Sequence, residues 1–165
     1  MTEFIKYPHL ERLISPEVEG ILEGKCHIFY KIDGTNGSVF MDDEGSLAAA
    51  SRSRILTLNN DNAGFFQAVQ KDERLLDLML GFPELIVYGE WLVPHSLKTY
   101  RDDAWRKFYI FDVFNRETNE FYDYDRYQDI LDAYDLDYIP PLATIKNPSV
   151  EDLHRLLQNS GQLLS

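Results

Sequence analysis

The chain has 165 residues, 44% of them apolar, and a formal net charge of −12. That length and apolar share suit one domain with a real core. No apolar run approaches the about 18 residues that a membrane span needs, and the single Cys26 excludes an internal disulfide framework. The opening MTEFIKYPHL lacks the apolar stretch of a signal peptide, and no Cys/His spacing suits zinc. A cytoplasmic protein without a membrane partner is therefore expected. The acidity argues against broad electrostatic binding to nucleic acid, unless basic residues gather on one face.

In chain order, Ser15-Pro16-Glu17 is a helix-start signal, and a short helix over 16–23 should end near Gly24. KCHIFYK (25–31) reads as a strand. GSVFMD (37–42) reads as a second, DDEG (42–45) as a hairpin turn and SLAAASR (46–52) as a third. From Asn60 or Asp61 to Leu80 the spacing becomes helical, with Phe65, Val69, Leu76 and Leu80 expected on one core-facing side. ELIVYGEWL (84–92) and KFYIFDVF (107–114) are near-continuous apolar runs and predict central strands buried on both faces.

YDRYQDILDAY (124–134) predicts an amphipathic helix, IPPLAT (139–144) an extended segment, and Ser149 with Asp152 caps a last helix over 150–158. Residues 1–110 hold 12 basic and 17 acidic side chains; residues 111–165 hold 4 and 11, and the steepest acidic run, 117–137, reads as a solvated helix face with flanking loops. No repeat or Gly/Ser linker marks an internal boundary. Strands joined by hairpins and interrupted by helices predict an α+β fold with a mostly antiparallel sheet and flanking helices over 1–165.

The stretch FYKIDGTNGSVF (29–40) places one lysine among apolar residues. A lysine amine is a nucleophile only when deprotonated, and with a solution pKa of about 10.4 roughly one amine in 2,500 is free at pH 7. A partly dry site beside cations raises that fraction. Phe29, Tyr30, Ile32 and Val39 are candidates for dryness. Arg52 and Arg54 are candidates for charge, if the strand at 46–50 pairs onto that at 37–41. Gly34 and Gly37 would let the backbone approach a bulky ligand or adopt positive φ.

YKIDGTNGSVF resembles the nucleotidyl-acceptor motif K-x-D-G of the covalent nucleotidyltransferases, which include DNA ligases, RNA ligases and mRNA capping enzymes. DNA ligases and capping enzymes usually place Arg five residues after the lysine. Asn36 stands there in KIDGTN, as in the RNA ligases that seal nicks in duplex RNA, including the RNA-editing type. SRSR (51–54), VYGEW (87–91) and KFYIFDVF (107–114) resemble three further motifs in the family order. The resemblance covers residues 25–114. It implies an ATP-grasp-like ligase adenylation domain acting on ATP, Mg2+ and RNA with 5′-phosphate and 3′-hydroxyl ends.

By this resemblance Lys31 takes AMP from ATP as a phosphoramidate. Asp33 positions the lysine and the metal region, and Asn36 contacts the ribose or phosphate side of the nucleotide. Arg52, or more weakly Arg54, touches the nucleotide or the RNA 5′-phosphate. Glu90 accepts hydrogen bonds from the ribose hydroxyls. Phe111, or Phe108 if the alignment slips, stacks on adenine. Tyr30 offers backbone groups to the base edge, where many relatives have Glu. His95 reads as a loop histidine, and His27 shares the lysine's strand at even spacing. Asp112, beside Phe111, is expected on the opposite face as a structural partner of an arginine or a backbone donor. No metal ligand set is assigned.

The family's later strand with E-G-[VI]-V-[IV] and its K-x-K lysines do not occur after residue 114. Each missing electrostatic group is worth about 10²–10³ in rate. Three explanations stand: an N-terminal fragment, which is favoured; a second polypeptide that supplies the rest; or a catalytically silent nucleotide- or RNA-binding module.

Overall fold

A computed structural model describes residues 4–10, 13, 16–94 and 100–159. Five strands form the central sheet, in the order β3-β2-β4-β5-β6: β2 (Thr35–Met41), β3 (Leu47–Ser51), β4 (Leu85–Leu92), β5 (Lys107–Asn115) and β6 (Glu120–Phe121). A second sheet has two strands, β1 (Lys25–Phe29) and β7 (Pro141–Lys146). Every strand pair in both sheets is antiparallel, as expected. Helices α1 (Phe65–Lys71), α2 (Glu73–Gly81), α3 (Tyr124–Ala133) and α4 (Val150–Asn159) complete the fold.

The sequence expectations hold for β2, β3, β4, β5, α3 and α4. In the β2–β3 turn the Asp42 carboxylate accepts from the N–H groups of Glu44 at 2.9 Å and Ser46 at 2.8 Å, and Gly45 takes φ +77°. The Ser149 hydroxyl accepts from the Asp152 N–H at 3.1 Å, and the Asp152 carboxylate accepts from the Ser149 N–H at 2.9 Å. That reciprocal box starts α4. On α3, Tyr127 and Leu131 turn inward and Asp125, Asp129 and Asp132 outward.

Three expectations are corrected. The segment 60–80 is two helices, not one. Asp72 ends α1 in an extended conformation and caps α2, its carboxylate accepting from the Arg74 N–H at 3.0 Å. The break resets the helical phase, so Leu75, Leu78 and Met79 are buried while Leu76 and Leu80 are 40% and 64% exposed. At 16–23 only a 3-10 turn over Pro16–Val18 forms; its expected cap, Ser15, lies outside the described residues. The segment 139–144 is extended as expected, and from Pro141 onward it pairs with β1. The first strand stops at Phe29, so residues 30–34 cross from one sheet to the other.

One face of the central sheet packs on α1, α2 and α3 through Val39, Val87, Val113, Phe65 and Leu78. The other face carries two smaller clusters. One gathers Phe40, Ile86, Tyr88 and Phe114 under Phe4, Ile5 and Tyr7; the second gathers Ile32, Leu92, Tyr100, Tyr109 and Ile139. Among the described residues no helix is long and apolar enough to cross a membrane.

Candidate active site

Lys31 stands in the crossover between the two sheets. Ile32 is 3% exposed and anchors this segment among Leu92, Tyr100, Tyr109 and Ile139. Extended backbone alternates its side chains, so burying Ile32 leaves Lys31 and Asp33 exposed. Two backbone contacts hold the loop. The Asp33 N–H donates to the Tyr100 hydroxyl at 2.8 Å, and the Gly34 N–H donates to Glu90 Oε2 at 3.1 Å.

Glu90 lies on β4 with Asn36 of β2 directly across on one side and Tyr109 of β5 on the other. Cross-strand partners share a face, so the three form a row. The β2–β3 ladder runs to Gly37–Ser51, and Arg52 is the next residue. Burial pushes the Glu90 carboxyl above its ordinary range and Asp33 adds to this, while the Gly34 N–H, Lys31 and Arg52 oppose it. All three charged side chains are therefore in electrostatic reach of Glu90. Lys31 and Arg52 make no hydrogen bond or ion pair among the described residues. Arg54 differs: it donates to the carbonyls of Asn60 at 2.6 Å and Asp61 at 2.9 Å, and so fastens a loop.

Phe111 sits at a register shift. Tyr88 pairs with Asp112 and Gly89 with Ile110, so Phe111 is the extra residue of a β-bulge. A bulge re-aims side chains, and here it corrects the expectation that Asp112 points away from Phe111. Tyr7 touches both: its ring is 5.0 Å from that of Phe111, and its hydroxyl donates to Asp112 Oδ2 at 2.8 Å. Burial pushes the Asp112 carboxyl up to about 6. Phe108 lies on the helix-facing side, 4.9 Å from the Phe65 ring. Tyr30 is half-buried and, with Ile32, Arg101, Tyr109 and Tyr138, lines a cavity of about 170 Å³.

The family model described as RNA ligase matches residues 24–163, most of the chain. The chain belongs to the RNA ligase family. No curated protein matches it. Among solved structures it is similar to a Naegleria gruberi RNA ligase with PPi, at 18% identity and TM-score 0.71 over 90% of this chain and 47% of that one. A lysine-to-alanine mutant of that ligase with ATP and Mn matches at 16% identity and TM-score 0.70, over 90% and 47%. An archaeal ATP-dependent RNA ligase matches at 18% and 0.73, over 94% and 42%. The chain thus spans less than half the length of these ligases, and the likeness establishes the ligase nucleotidyltransferase fold.

Two expectations for this RNA ligase chain are corrected. The dry setting for Lys31 is absent: Lys31 is exposed, Phe29 is 37% exposed, and Val39 turns into the helix-side core. Gly34 and Gly37 serve packing within the protein. A Cβ at Gly34 would lie 2.7 Å from the Trp91 carbonyl oxygen, and one at Gly37 would lie 2.6 Å from the Phe65 ring. His27 is engaged away from the row, 2.8 Å from the Thr144 hydroxyl and 3.5 Å from Asp125. His95 lies outside the described residues.

Among the described residues no group of three or more His, Cys, Asp or Glu converges to hold a metal. A divalent cation that arrives on nucleotide phosphates needs only one or two protein carboxylates, and Asp33, within electrostatic reach of Glu90, suits that demand. Sequence reasoning missed Tyr7, Tyr100 and Tyr109. Tyr109 was findable as a neighbour within KFYIFDVF. Tyr7 and Tyr100 were not, because their partners lie 105 and 67 residues away.

Proposed function

We propose that residues 1–165 form the N-terminal part of the adenylation domain of an ATP-dependent RNA ligase that seals nicks. The observation that carries this reading is the gathering of Lys31, Asp33 and Arg52 around Glu90 at one end of the sheet. Similar folds with ATP and Mn, AMP and Mn, or PPi support ATP and a divalent cation as ligands, and we take the cation to be Mg2+.

In the first step the Lys31 amine, its proton given to water, attacks the α-phosphorus of ATP. A nitrogen–phosphorus bond forms and pyrophosphate leaves. Bound Mg2+ neutralises charge on the phosphates. Asp33 orients the amine and faces the metal region, Asn36 contacts the ribose or phosphate side, and Arg52 offsets negative charge on the nucleotide or on the RNA end. Glu90 accepts from the ribose hydroxyls, Phe111 stacks on adenine, and the Tyr30 backbone meets the base edge. In the second step an oxygen of the RNA 5′-phosphate attacks the AMP phosphorus, and Lys31 leaves as an amine. In the third a 3′-hydroxyl attacks the activated 5′-phosphorus, loses its proton and expels AMP. Further sequence or a second polypeptide would supply the family's later glutamate and K-x-K lysines.

The test is incubation with ATP labelled at the α-phosphate and Mg2+. Label should survive denaturation in the parent protein and vanish in Lys31→Ala. Reversible ATP binding without covalent label would favour a second reading, a silent nucleotide- or RNA-binding module.

A further inference from the structure

A cavity of about 180 Å³ lies on the face of the sheet opposite Glu90, where α1, the start of α2 and the start of β5 meet. Trp91 and Phe108, paired across β4 and β5, both line it. Its charged lining is three cations, Arg74, Arg106 and Lys107, against two carboxylates, Asp72 and Asp137. Arg74 is fully occupied. Its Nε and Nη2 donate to Asp72 at 3.0 and 2.8 Å, and its Nη1 donates to the Asp135 carbonyl at 2.7 Å. The exposed side chains of Arg106 and Lys107 have no hydrogen bond or ion pair among the described residues. Two adjacent free cations beside a cleft stand out in a chain of net charge −12.

Arg106 also holds φ +60°. Asn and Asp tolerate that left-handed region through local hydrogen bonds, and glycine enters it freely; an arginine gains nothing local from it. The strain goes with a direction imposed on the chain at the cleft, where the Arg106 N–H donates to the Leu92 carbonyl. The place also matters. Trp91 follows Glu90 on β4, and Lys107 precedes by two residues the Tyr109 that faces Glu90. The cleft and the lysine row therefore share one end of the sheet on opposite faces, and Lys107, paired with Leu92 and in step with Tyr109, stands on the Glu90 side of the rim between them.

We propose that Arg106 and Lys107 bind backbone phosphates of the RNA strand beyond its reacting end, as the strand turns around this sheet end. The proposal rests on the RNA ligase reading of the Lys31 site. A guanidinium forks onto two phosphate oxygens and an ammonium acts as a point charge. Phe65 and Trp91 are 1% and 7% exposed, and the half-buried Phe108 ring packs 4.9 Å from that of Phe65, so charge and not ring surface is what the cleft mainly presents. Recognition is therefore of phosphate, independent of sequence, and a free nucleotide gains little there.

The experiment measures binding of a dye-labelled, 5′-phosphorylated single-stranded RNA across a salt series, with the parent chain, Arg106→Gly, and Arg106→Gly with Lys107→Gln. Glycine keeps the left-handed backbone, so folding should be undisturbed; a thermal melt verifies this. The double variant should bind about tenfold more weakly at low salt. Its slope of log affinity against log salt should shrink by about 1.4, from about 0.7 per phosphate released. The loss should be equal for scrambled sequences, and Lys31 labelling by ATP should be unchanged. An unchanged slope in the folded double variant, no RNA binding by the parent, or a loss confined to ATP would overturn the proposal. Absence of Lys31 labelling with the slope change intact would instead sink the ligase reading and leave the phosphate cleft standing.

Discussion

The Glu90 carboxylate accepts the backbone N–H of Gly34 at 3.1 Å, three residues beyond Lys31. This bond ties the lysine loop to the central sheet, and it lets one acid orient the loop while its remaining lone pairs stay available to a ligand. Glu90→Gln keeps an acceptor for Gly34 and removes the charge. We expect nucleotide affinity or labelling rate to fall about tenfold to a hundredfold, with the melting temperature kept. An activity loss matched by an equal loss of stability would mean that Glu90 only supports the fold.

Gly34→Ala tests the loop more directly. The added Cβ would meet the Trp91 carbonyl oxygen at 2.7 Å, and backbone cannot swing away as a side chain can. The segment that carries Lys31 must shift. Labelling of Lys31 should drop at least tenfold, because reacting groups tolerate about 1 Å of misplacement poorly. The loss of unfolding free energy should stay modest, about 1–3 kcal/mol. Full labelling in this variant would show that the close approach is irrelevant to the chemistry.

The two arginines of SRSR should separate. Arg54 donates to two loop carbonyls, and its loss leaves both without that donor. Arg54→Ala should cost about 1–2 kcal/mol in chemical denaturation, with catalysis per folded molecule little changed. Arg52→Ala should leave stability within about 0.5 kcal/mol and lower the labelling or sealing rate about a hundredfold. The reverse pattern would exchange their roles.

Asp112 predicts a pH dependence of stability. Burial raises its folded pKa to about 6, against the opposing hydrogen bonds from the Tyr7 hydroxyl and the Val113 N–H. Its unfolded pKa is about 3.9. Between these values the folded state holds the extra proton, so this group's stabilisation is complete below about pH 4 and is lost as pH rises through about 6. The change is on the order of 3 kcal/mol. The unfolding free energy of the parent protein minus that of Asp112→Asn, from denaturant titrations, should fall by that amount from pH 4 to 7, because the difference cancels the other carboxyls. A difference that stays flat or rises over this range would contradict the assignment.

The chain's local order was legible in its sequence. Alternating and continuous apolar runs announced β2, β3, β4 and β5, the acidic amphipathic pattern announced α3, and Ser149 with Asp152 announced α4, because each signal lies within one element. The order of Lys31, Arg52, Glu90 and Phe111 was legible for the same reason. Tertiary structure alone decided what meets across distance. It paired β1 with a segment more than 100 residues later, broke the helix at Asp72 so that Leu76 and Leu80 face water, and put a bulge at Phe111 that brings Asp112 to the same tyrosine. Strand partners and bulges depend on the register between segments, and register is an energy of the whole sheet that no single stretch of chain encodes.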